Sequence, residues 1–126
     1  MKPLLIIIIP LLVFIALALC LNYYIDSSAS KLLVNIDDLK SQIDKGDWTR
    51  AEATIKDLDK SWGTTRRRWN MFIDHNEVDR IDDSMARVGK WIELKEKKDC
   101  LVELAALSQA LAHIPENEKL LIANIF

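Results

Sequence analysis

The sequence predicts an all-α chain: an N-terminal transmembrane helix followed by an antiparallel, up-and-down bundle of about four helices. Three observations predict it. From Pro3 to Ile25 the chain carries no charge and is mostly Leu, Ile, Val, Ala and Phe. Beyond Ser30 the apolar residues recur at alternating steps of three and four, the seam spacing of helices packed along their lengths. Three Gly and three Pro in 126 residues argue against a turn-rich β domain, while abundant Ala, Leu, Lys and Glu favour helices.

The apolar run spans roughly 35 Å as a helix, enough to cross a hydrocarbon core of about 30 Å. A helix is also the one single-segment structure that satisfies its own backbone in lipid. A cleaved secretory signal is the competing reading. Its apolar region is usually about 7–15 residues long and ends at a small-x-small site. Ala16-Leu17-Ala18 has that form but lies inside the run, and Ser28-Ala29-Ser30 sits some distance past its end. A lipoprotein signal at Cys20 requires a small residue before it, where Leu19 stands. The expectation is a retained anchor, residues 1–26, carrying a domain of residues 27–126.

Lys2 and the amino terminus flank one side of the run, and Asp26 opens the other, with no base until Lys31. Positive-inside counting then leaves the N-terminus in the cytoplasm and the domain outside the cell membrane. Tyr23 and Tyr24 stand where an interfacial aromatic belt belongs. Pro10 removes one helical hydrogen bond, a defect that spanning helices tolerate.

Four amphipathic stretches follow. The first carries Leu32, Ile36, Leu39 and Ile43, with Gly46 as its stop. The second runs from Trp48 through Ala51, Ile55, Leu58, Trp62 and Trp69 to Phe72, with Asp47 as its N-cap and Thr65 at its weak position. The third carries Val78, Ile81, Met85, Val88 and Ile92. The fourth, opened by Asp99, carries Leu104, Leu107, Leu111 and Ile114 and is halted by Pro115, with a short helical tail to Phe126. Trp48 to Phe72 is about 37 Å of helix, against about 24 Å from Ser30 to Lys45. That mismatch predicts either a break of the second helix at Gly63 or, as the unbroken phase through Trp62 and Trp69 favours, a bend at residues 26–30, so that Arg66, Arg67 and Arg68 are kept out of the bilayer.

About 100 residues beyond the anchor suffice for one domain with a modest core. The net charge of −2 exerts no general pull towards nucleic acid, and no basic surface extends beyond one triplet. Two cysteines make no disulfide framework, since Cys20 is expected in lipid and Cys100 far from it. There is no nucleophile elbow, phosphate loop, HExxH pair or CxxC pair, so no enzyme activity, cofactor or resident metal is expected. The adjacent carboxylates of Asp37-Asp38 and Asp82-Asp83 diverge by about 100° on a helix and are expected as solvated surface.

Three groups remain as candidate sites. Arg66, Arg67 and Arg68 form an outward basic run suited to anionic headgroups or an acidic partner, or to an ordinary solvated face. Leu120, Leu121, Ile125 and Phe126 make an apolar tail that either docks a partner helix or closes the bundle's own end. His75 and His113 are both expected at the membrane-proximal end, as a candidate polar or ion site with Asp74, Glu77, Glu116 and Glu118, or as helix-end hydrogen-bonders.

Gly46-Asp47-Trp48 with Ala51, Trp62 with Trp69, Ile73-Asp74-His75, His113-Ile114-Pro115-Glu116 and Asn124-Ile125-Phe126 together resemble a family of small membrane-anchored bacterial proteins, domain of unknown function 4363, from spore-forming clostridia and their relatives. The resemblance covers nearly the whole chain. It implies a helical architecture behind an N-terminal apolar helix, a sporulating host and a membrane partner, but no activity. Gly46-Asp47-Trp48 with Ala51 also echoes tetratricopeptide packing, yet no second copy follows at a 34-residue period. The resulting expectation is a non-enzymatic single-pass protein of the bacterial envelope that binds or positions another envelope protein. The alternative is a ligand or metal-ion sensor at His75 and His113. Self-association through the heptad seams is a third route.

Overall fold

The computed structural model describes residues 1–125, with side chains as far as Asn117. Its elements are α1 (Lys2–Asp44), α2 (Trp48–Trp69), α3 (His75–Glu93) and α4 (Lys97–Ile125). Each helix turns back against the one before it, and α4 closes on α1 to complete a four-helix ring. The all-α bundle expected from the apolar spacing is therefore the fold. α1 has a stretch with mean hydropathy 3.4, none of it buried, and is long and apolar enough to cross a membrane.

The core is the set of three-and-four stripes turned inward. Ile25, Ala29, Leu32, Ile36, Leu39 and Ile43 line α1, facing Leu58, Trp62 and Trp69 of α2, Ile81, Val88 and Ile92 of α3, and Leu104, Leu107 and Leu111 of α4. Each large aliphatic group so buried contributes about 1.5–3 kcal/mol. Trp62 and Trp69 meet edge to face, with centroids 5.6 Å apart.

Two sequence expectations need correction. The predicted bend at residues 26–30 is absent, because α1 is helical without a break from Lys2 to Asp44. The cause is phase: Ile25 and Ala29 fall on the same stripe as Leu32 and Ile36, so an unbroken helix buries all four. The length mismatch also vanishes. The bundle portion of α1 begins at Ile25, about 30 Å from Asp44, and α2 ends at Trp69 after 22 residues, or about 33 Å. Phe72 and Ile73 instead form the turn, where Ile73 is buried and Phe72 packs edge-on against Tyr24 at 6.5 Å. The second correction concerns Pro115. It does not halt α4, which continues to Ile125 with Pro115 inside it. The proline forfeits one hydrogen bond, but its ring is buried and its fixed φ is helical.

Both turns at the end of the bundle away from the apolar part of α1 are Schellman motifs. After α1, the Gly46 N–H donates to the Ile43 carbonyl and the Asp47 N–H to the Gln42 carbonyl, with Gly46 at φ 71°. After α3, Lys95 and Glu96 repeat the pattern onto Ile92 and Trp91, with Lys95 at φ 56°. Lys97 then reaches back and donates to the Asp44 carbonyl at 2.9 Å, fixing α4 against the end of α1. Counting equal rise from that contact, Asn117 comes level with about Tyr24, and α4 continues beyond it to Ile125.

Candidate functional site

On α1, Tyr24, Ser28, Lys31 and Asn35 follow the same three-and-four step as the core stripe, one position out of phase with it. On α2, Ser61, Thr65 and Arg68 do likewise. The two polar stripes face each other across the α1–α2 seam and line an open groove of about 540 Å³, floored by Leu32. It begins at Tyr24, where the apolar run ends, and extends outward along the bundle. Two cations and four hydroxyls line it, and no carboxylate does.

The arginine run divides into three unlike positions. Arg66 turns to α3, its Nε 3.0 Å from the Asp82 carboxylate. Arg67 donates to the Gly63 carbonyl of its own helix at 3.3 Å and stays exposed. Arg68 turns to α1, where its Nη1 donates to the Tyr24 hydroxyl at 3.3 Å. That contact puts the end of α2 level with Tyr24 and not deeper in the apolar zone.

Asp82, expected as solvated surface, is instead a junction. One of its oxygens accepts from the Trp62 indole at 2.6 Å, and the other holds Arg66. A similar tie joins α3 to α4, where Glu103 accepts from Ser84 and Arg87, each at 2.9 Å. Thr54 donates to Gln42 at 2.7 Å between α2 and α1. Polar side chains thus lock each neighbouring pair at its rim.

The histidines sit apart from the groove. His75 is the first residue of α3 and exposed, next to Asp74, whose carboxylate caps the helix by accepting from the Asn76 N–H at 2.8 Å. The Asp74-x-x-Glu77 spacing is the sequence sign of that cap. His113 lines a cleft of about 290 Å³ with Glu77, Arg80 and Asn117, and its Nδ1 lies 3.7 Å from the exposed Glu116 carboxylate. Glu77 in that cleft accepts from Asn117 at 2.9 Å. His75 does not line it, and among the described residues no three His, Cys, Asp or Glu groups gather as metal ligands would. Leu120, Leu121 and Ile125 belong to the last turns of α4, but their side chains, and Phe126 altogether, lie outside the described residues.

Cys100 is fully buried in α4, and burial pushes its thiol up from 9.0 to about 11. A nucleophilic thiol needs the opposite shift.

Lys31, Ser28, Asn35 and Ser61 are not conspicuous as site residues in the sequence, because each lies beside an apolar stripe and not in it. The signal available was the polar stripe running beside the apolar one.

A protein-family model described as Domain of unknown function (DUF4363) matches residues 19–125. Comparison with curated proteins and with solved structures gave no match.

Proposed function

The chain belongs to the DUF4363 family, and from that premise we propose that it is a non-enzymatic, single-pass membrane protein whose outer helical bundle binds and positions another envelope protein. The observation that carries this reading is the continuity of α1 from its apolar part into the bundle core. A bundle on a flexible joint samples many orientations, whereas one whose first helix is also its anchor keeps a fixed height and direction. That suits a mount for a partner. An orientation with the bundle outside the cell is supported by positive-inside counting, with Lys2 and the amino terminus on one side of the apolar run and no base before Lys31 on the other.

Retention of the anchor is supported by Ser28-Ala29-Ser30 lying inside α1 with Ala29 buried. Cleavage there strips Tyr24 and Ile25 from the fold. A role without catalysis is supported by how the charged groups are used, since Asp82 and Glu103 tie helices together. The partner meets the polar outer faces of α2 and α3, because the apolar stripes of the bundle are turned inward.

The test is site-specific photo-cross-linking in the native membrane, from exposed positions such as Lys60 on α2 and Val102 on α4. One envelope protein captured from one face and not from the opposite face is the expected result. Capture without regard to face, or recovery of the chain as a trimmed soluble species, overturns the proposal.

A further inference from the structure

We propose that the groove between α1 and α2 binds the phosphodiester headgroup of an anionic phospholipid, with Lys31 and Arg68 as its two cations. The inference rests on α1 remaining in the bilayer and not on the identity of any protein partner.

Charge is the first argument. The chain carries 19 acidic and 17 basic residues, yet two of the bases and none of the acids line the groove. Among the described residues Lys31 makes no ion pair, and Arg68 touches only the Tyr24 hydroxyl. Arg66, two residues away and on another face, has Asp82 as its counter-ion. Two cations facing one groove without a carboxylate repel each other unless an anion joins them.

Direction is the second. Helical side chains lean towards the N-terminus of their own helix. α1 starts on the membrane side and α2 on the distal side, so Lys31 leans towards the membrane while Arg68 leans away from it. Lys31 thus leans down the groove towards the Tyr24 end, where Arg68 meets the Tyr24 hydroxyl, and the hydroxyls of Ser28, Ser61 and Thr65 add neutral donors along the lining. The Tyr24 contact holds one edge of the guanidinium and leaves its other N–H groups for phosphate oxygens, which a planar fork fits well.

Depth is the third. The groove opens at Tyr24, the end of the apolar run, and a headgroup layer extends roughly 5–8 Å beyond the hydrocarbon. A phosphate in that layer lies beside Tyr24 and Ser28, within reach of both cations. Inorganic phosphate shares the same chemistry but lacks the depth constraint, so the lipid is the occupant to which the position points.

The test uses the full chain in mixed micelles of phosphatidylglycerol and phosphatidylcholine, with retained lipid counted by native mass spectrometry. At about 1 kcal/mol per cation the expected preference for phosphatidylglycerol is roughly thirty-fold. The Lys31→Gln, Arg68→Gln double variant should bring it close to parity, while Arg67→Gln keeps it. Millimolar inorganic phosphate should leave the retained lipid unchanged. An equal loss in Arg67→Gln overturns the groove in favour of diffuse surface charge, and displacement by inorganic phosphate reassigns it to a soluble anion. An intact mass with no lipid preference overturns the groove alone, whereas a trimmed mass overturns the anchor and the site together.

Discussion

The Trp62 indole N–H donates to the Asp82 carboxylate at 2.6 Å, so a core tryptophan of α2 is held by an acid on α3. Trp62 is only 2% exposed, and its N–H has little access to water if that acceptor is lost. Asp82→Ala should therefore cost about 1–3 kcal/mol, the range for stranding a buried donor. Asp82→Asn keeps a carbonyl acceptor and loses mainly the half-exposed pairing with Arg66, worth at most about 1 kcal/mol. Denaturant unfolding in micelles, followed by tryptophan fluorescence, separates the two. Equal losses in both variants would assign the stability to the ion pair instead.

The two distal turns offer a matched comparison. Gly46 at φ 71° and Lys95 at φ 56° occupy the same position of the same motif, but only glycine is free of the left-handed penalty. Lys95→Gly should raise stability by about 0.5–1 kcal/mol, after allowing for the extra freedom of glycine in the unfolded chain. Gly46→Ala should lower it by about 1 kcal/mol. A Cβ at Gly46 meets nothing within 4 Å, so that loss reads backbone strain without a steric contribution. Melting of the two single variants checks both signs.

Much of the bundle was legible because a buried stripe at three-and-four spacing needs no partner to be recognised: Leu32, Ile36, Ile81 and Leu107 announce themselves. Ile25 did not, since an apolar residue reads alike whether it meets lipid or protein, and it ended a run already assigned to lipid. Its burial is what removed the need for a bend. Asp82 and Lys31 were illegible for a different reason. Their roles depend on Trp62 and Arg68, which lie on other helices, and rotation of one helix about its axis would part them. The arginine run shows the same limit: three adjacent residues point about 100° apart, and only the bundle decides which face each one meets.

Cys100 makes stability depend on pH in the alkaline range. In the folded chain its thiol keeps its proton to about 11, whereas the unfolded thiol releases it near 9.0. Between those values the native state binds more protons, so stability is fully present below about pH 9 and falls as pH rises through the window. The expected loss is about 2 kcal/mol by pH 11. Cys100→Ala lowers stability by a constant amount for its small cavity but should remove this slope. Parallel slopes in the two proteins from pH 8 to 11 would mean that the thiol is not the group responsible.

Where the bundle starts can be measured directly. Ile25 is 1% exposed and Leu17 is 64% exposed, though both lie in one uncharged run. Ile25→Ala should cost about 2–5 kcal/mol, as expected of a core truncation, while Leu17→Ala should change bundle stability by no more than about 0.5 kcal/mol. The same asymmetry applies to soluble fragments. A fragment begun at residue 27 lacks Ile25 and also the hydroxyl of Tyr24 that meets Arg68, so it should melt lower than one begun at Asn22. Equal melting of the two fragments, together with a silent Ile25→Ala, would move the start of the bundle outward. α1 would then act as a tether and not as a mount, because a helix can transmit the orientation of the span only through the residues that lock it into the core.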